Sequence, residues 1–121
     1  MIEIQLPFLT KTMNDLRRRH WSYVTKEKNK VFEHMLPQLT PLRKLNTPIH
    51  VRILRVSSQL PDHDNMVSGG KYILDALVKY GLLPDDSRDM LSCEYDWVKG
   101  KQGAGLMHIT IYEPGERRDD I

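Results

Sequence analysis

One cysteine, Cys93, is all the thiol chemistry available to this chain of 121 residues. A single thiol excludes an internal disulfide and any zinc cluster built on cysteines. It suits a reducing compartment. Long apolar runs are missing too: no stretch approaches the roughly 18 apolar residues that a membrane span needs. The opening residues, Met1 to Leu9, are too short and lack the basic flank of a secretory signal. A cytoplasmic protein with no membrane partner is expected. Aromatic residues are few, at 7%, so Trp21, Trp97 and Tyr95 each carry weight in the reading.

What is present is ordinary in bulk and uneven in distribution. A hydrophobic fraction of 40% and a charged fraction of 28% are those of a globular protein. The length fits one domain over residues 1–121 with a modest core, the last residues from about 114 being a frayed, charged tail. The net charge of +2 hides an asymmetry. Residues 1–55 hold eleven basic against four acidic side chains, a net +7, and residues 56–121 hold seven against twelve, a net −5. A basic half beside an acidic half suits a protein that grips phosphates with one part and a cation with the other. A solvated helix face gives the same bias.

Hydrophobic periodicity predicts the elements. Ile2 to Leu6 alternates and stops at Pro7, a first strand. Val24, Val31, Phe32, Met35, Leu36 and Leu39 form one stripe of a helix over about Ser22 to Leu39, which Pro37 would end or bend. Ile49, Val51 and Ile53 alternate in a second strand. Ser57 to Gly70 reads as a loop. Tyr72, Ile73, Ala76, Leu77 and Tyr80 mark a helix from near Lys71, closed by Gly81. Leu91 to Val98 and Met107 to Tyr112 alternate as two more strands, and the glycine-bearing link between them suggests a hairpin. The order β-α-β-α-β-β predicts a small α+β (α/β-like) fold. It has a mixed sheet of about four strands with two main helices on one side.

The chemistry concentrates in Asp62-His63-Asp64-Asn65 and in a second acidic pair, Asp85-Asp86. Carboxylates one residue apart repel unless a cation or a donor offsets them. Hard divalent cations take oxygen ligands of this kind. The same residues also serve as helix caps, and Asn65 is best read that way. His63 is as well explained by an exposed loop position as by a role at a metal, because hard cations do not favour imidazole. Asp75 reads as a structural hydrogen-bonding group. Arg17-Arg18-Arg19-His20-Trp21 combines cations with an aromatic ring, as surfaces that bind phosphates and stack bases do. A basic turn with Trp21 in the core is the equal alternative. Lys26, Lys28 and Lys30 in the first helix, and Lys99 and Lys101 in the link, are further candidates for a nucleic-acid backbone.

The run Asp62-His-Asp64-Asn65, then Lys71-Tyr-Ile-Leu-Asp75-Ala76-Leu77, then Lys79-Tyr-Gly81 and Asp85-Asp86, resembles the RusA family of Holliday junction resolvases. The flanks agree in organisation, with Leu6-Pro7, Asn14 and Arg18-Arg19-His20 before the motif and two strands after it. One departure is the link Met66 to Gly70, which is longer than in the family pattern. The resemblance implies that Asp62, Asp64 and Asp86 are metal ligands, with Asp85 beside them, and that Lys71 is catalytic. It implies Mg²⁺, with Mn²⁺ as a substitute. The implied activity is structure-selective cleavage of four-way DNA junctions by paired symmetric cuts, in a bacterial or prophage recombination role at the nucleoid. Two symmetric cuts need two sites, and so a homodimer. Arg17, Arg18, Arg19, Lys26, Lys30, Lys99 and Lys101 are the expected DNA contacts. Two other classes fit the same residues: an inactive module that binds branched DNA, and another metal-dependent phosphohydrolase.

Overall fold

A computed structural model describes residues 1–10, 21–42, 44–45, 47–61, 63–80, 82, 91–103 and 105–116, and at 63–65 and 68 the backbone alone. Its elements are β1 (Ile2–Leu6), α1 (Trp21–Leu39), β2 (Ile49–Ser57), α2 (His63–Lys79), β3 (Leu91–Lys99) and β4 (Leu106–Tyr112). This is the α+β order that the periodicity predicts.

The strands form one mixed sheet in the order β1-β4-β2-β3. β4 runs antiparallel to both β1 and β2, and β3 runs parallel to β2. The expected hairpin between β3 and β4 is therefore absent, because β2 lies between them. Alternation says which face a side chain takes and nothing about which strand lies alongside. The parallel pair needs a long crossover, and α2 provides it.

Register puts Ile4, Ile109, Ile53 and Tyr95 in one row of one face. The core cluster takes Ile4, Leu6, Ile49, Val51, Ile53, Met107, Ile109 and Ile111 from that face alone. It adds Val31, Phe32, Met35 and Leu39 from α1 and Tyr72, Ile73, Ala76 and Leu77 from α2. Both helices thus cover the same side of the sheet. The opposite face carries His50, Arg52, Glu94, Asp96 and His108, tied to one another and to the edge. Arg52 Nε donates to Asp96 Oδ2 at 2.7 Å, and Gln5 Nε2 lies 3.3 Å from His108 Nδ1.

Two helix expectations need correction. Pro37 sits inside α1 without ending it, two residues before the helix closes at Leu39. There the chain closes through Thr40, whose N–H donates to the Leu36 carbonyl at 2.9 Å. Leu36 itself is exposed rather than on the apolar stripe. Nearby, the Gln38 amide pairs with both backbone groups of Gln5, at 3.0 and 2.9 Å. That pairing blunts the edge of β1.

The larger correction concerns α2, which begins at His63 and not near Lys71. Gly69 and Gly70 weaken a helix by intrinsic preference. Here Gly70 is needed for close approach: a Cβ on it would lie 2.7 Å from Tyr95 Cε1 and 3.1 Å from Ile53 Cδ1. Packing on the sheet overrides local preference. The closure at Gly81 lies outside the described residues.

Candidate functional site

The start of α2 lies over the finishing ends of the two parallel strands. Gly70 packs against Ile53 and Tyr95. One helical turn earlier, Met66 lines a small cavity with Arg55, which is two residues further along β2. The helix and the strand therefore run antiparallel in step, and the next turn back, at His63, comes towards the end of β2 at Ser57. The carboxyl ends of parallel strands are where open α/β sheets place ligands.

Ser57 organises that end of the sheet. Its Oγ accepts from Trp97 Nε1–H at 3.0 Å and donates to the Gln59 carbonyl at 2.8 Å. Its own carbonyl accepts from Gly100 N–H at 2.9 Å. These bonds bring the ends of β2 and β3 and the loop towards Pro61 into one connected unit. Tyr95 and Trp97 are half-buried on the helix-covered face, and Tyr95 packs against the core cluster. Burial pushes the Tyr95 hydroxyl well up, and its hydrogen bond to the Cys93 thiol adds to the shift. Cys93 is likewise raised by burial, a rise partly offset by the Tyr95 bond.

The expected site residues are placed as follows. Asp62, Asp85 and Asp86 lie outside the described residues. Asp64 is the second residue of α2, where only the backbone is described. Lys71 is exposed on the same helix. The stretch between them is helical, so the long link is part of α2 and not a loop. Seven residues of α-helix rise about 10.5 Å and return to almost the same side. Positions 64 and 71 consequently share one side of α2.

The flanks of residues 83–90 are described. Leu82 N–H donates to the Leu77 carbonyl at 3.0 Å, and Leu82 O accepts from Leu45 N–H at 2.8 Å. Leu91 pairs with Ile49, at the beginning of the parallel pair. Both flanks lie at the end of the sheet away from His63. A meeting of Asp86 with Asp62 and Asp64 is thus left to residues 83–90 themselves. Among the described residues, no three His, Cys, Asp or Glu side chains come together as a metal-binding group. Asp75 and Glu27 both act on Tyr72, whose hydroxyl is raised first by burial and then by these two carboxylates.

The basic candidates divide. Arg17, Arg18 and Arg19 lie outside the described residues. Lys26 and Lys30 line a concavity of ≈ 680 Å³ along α1 with Ser22, Thr25 and Asn29. Trp21 stands at its head, 72% exposed, so the core alternative for that ring is wrong. Lys30 Nζ also sits 4.2 Å from the centre of the Phe8 ring. Lys28 packs over Phe32 at 5.4 Å. Lys99 pairs in register with Ser57, at the same end of the sheet as the start of α2, and Lys101 is exposed just beyond it.

Arg55 is the residue that sequence reasoning passes over. It continues the buried series Ile49, Val51, Ile53 on the helix-covered face, in register with Trp97 and Met107. A cation at an apolar position of an alternating strand is the signal that points to it, because a buried charge needs a partner.

No family model matches this chain, and no curated protein matches it either. None of the helices among the described residues is long and apolar enough to cross a membrane.

Proposed function

We propose that the protein is a Mg²⁺-dependent, structure-selective DNA endonuclease that resolves four-way junctions by paired symmetric cuts. The observation that carries this reading is the run of α2 from the acidic motif to Lys71. Position 64 and the exposed Lys71 share one side of a single helix that starts at the carboxyl ends of a parallel strand pair. That arrangement accommodates the longer link, since its residues add helix without turning Lys71 away from position 64. The resemblance to RusA-type resolvases provides the rest.

In this reading Asp62, Asp64 and Asp86 hold the cation. Three carboxylates offer only hard oxygen donors, a set that fits Mg²⁺ and also Mn²⁺. A bound ion would supply activation of the attacking water and offset the charge that develops at phosphorus. Lys71 neutralises the scissile phosphate from the same side of α2. Lys99 and Lys101, at the same end of the sheet, hold the flanking DNA backbone, and Lys26 and Lys30 extend that contact along α1. A homodimer supplies the second cut.

The test is a labelled synthetic four-way junction incubated with and without Mg²⁺, beside Asp64→Asn. Wild type is expected to nick two opposed strands only with metal, and Asp64→Asn to bind the junction without cutting it. Binding without cleavage by wild type at every metal concentration would overturn the nuclease reading. Cleavage that persists in Asp64→Asn would overturn the assigned ligands.

A further inference from the structure

The open face of the sheet carries a second cluster of reactive groups, at the opposite end of β2 from the start of α2. Register sets His50 beside Ser92 and Arg52 beside Glu94, so His50 stands between two side chains of the neighbouring strand. Its Nδ1 lies 2.7 Å from Ser92 Oγ and its Nε2 lies 2.9 Å from Glu94 Oε1. The carboxylate only accepts, so Nε2 carries a proton, and in the neutral ring Nδ1 is then the acceptor for the Ser92 hydroxyl. The order is nucleophile, base and orienting acid. Ser92 is exposed. With His50 it opens on a concavity of ≈ 370 Å³ whose walls include Pro48, Ile49, Tyr112 and Pro114.

We propose that this relay makes Ser92 a nucleophile that accepts acyl groups from small activated esters. As Oγ attacks the carbonyl carbon, its proton passes to His50 Nδ1 and Glu94 offsets the charge on the ring. The ester C–O bond breaks, and the departing alkoxide takes the proton back from Nδ1. The acyl group is then bonded to Ser92 beside Pro48 and Pro114, in a concavity that Glu113 and Glu116 also line. Glu94 is a positioning residue here, since it acts through His50. The relay gives general-base assistance alone, so the expected gain is about 10²–10⁴-fold over an unassisted serine. This chemistry is independent of the nuclease reading and of any metal.

An alkyl fluorophosphonate tests it on the full chain. Ser92 Oγ bonds to phosphorus, the P–F bond breaks, fluoride leaves and His50 takes the proton. Intact mass with peptide mapping is expected to find one adduct, at Ser92, formed equally in EDTA and in Asp64→Asn. Ser92→Ala should lose it, and a folded His50→Gln should slow it by about 100-fold or more. Should His50→Gln fail to melt cooperatively, Glu94→Gln replaces it, with labelling expected to slow about tenfold. Labelling of Ser92 no faster than in urea-unfolded chain, or unchanged in the folded relay variant, overturns the proposal.

Discussion

Gly70 and Tyr95 touch where α2 crosses the sheet. A single added carbon on Gly70 would lie 2.7 Å from Tyr95 Cε1, well inside contact distance. This approach sets the height of α2 above β2 and β3, and with it the position of the helix start that carries Asp64.

Gly70→Ala tests that relationship. Alanine favours the helix by about 1 kcal/mol over glycine. Overpacking against a half-buried ring costs about 1–3 kcal/mol. The expected outcome is a net loss of about 1 kcal/mol in urea denaturation, against the gain that an exposed helical glycine would show.

Ser57→Ala probes the other anchor of the same end. The change leaves Trp97 Nε1–H without its 3.0 Å acceptor and removes the 2.8 Å bond to Gln59. A stability loss of about 1–3 kcal/mol follows from a donor left unsatisfied. Tryptophan fluorescence, compared with a Trp21→Phe background to isolate Trp97, should shift as its indole N–H loses its partner.

Lys71→Met separates function from fold. The lysine is exposed on α2, so stability is expected to stay within about 0.5 kcal/mol. Junction cleavage should fall by about 100-fold or more, as expected for the loss of a charge that meets the developing transition state. A variant that cuts at the wild-type rate would remove Lys71 from the proposed chemistry.

Stability should decline on the alkaline side. Burial raises the Cys93 thiol and the Tyr95 and Tyr72 hydroxyls. The folded chain keeps these protons where the unfolded chain releases them. Their contribution is fully present below the unfolded values, about 8.5 for a thiol and 10 for a phenol. It is lost as pH rises through the folded values. Urea midpoints measured from pH 7 to 11 should fall, and Cys93→Ala should delay the onset of that fall.

The elements were legible because their signals are local. Ile2, Ile4 and Leu6, or Ile49, Val51 and Ile53, show their buried face through a period of two. Val31, Phe32, Met35 and Leu39 do so through a helical period. The start of α2 was not legible. Its first turns hold Ser68, Gly69 and Gly70, which read locally as a loop, and only Tyr95 and Ile53 in the strands beneath explain a glycine there. Leu36 misled for the reverse reason, since an apolar residue one position off the stripe costs little when left in water.

The amino-acid sequence by itself determined the order of strands and helices, the uneven distribution of charge and the motif from Asp62 to Asp86. All of these reside in side-chain type and spacing along one chain. Tertiary structure decided which strands are neighbours. β2 takes β4 on one side and β3 on the other, which rules out the hairpin and brings His50 between Ser92 and Glu94. It also decided that position 64 and Lys71 share one helix. The physical reason is the same in both cases: strand pairing and helix packing satisfy backbone bonds and bury surface between residues far apart in sequence, which no local period records.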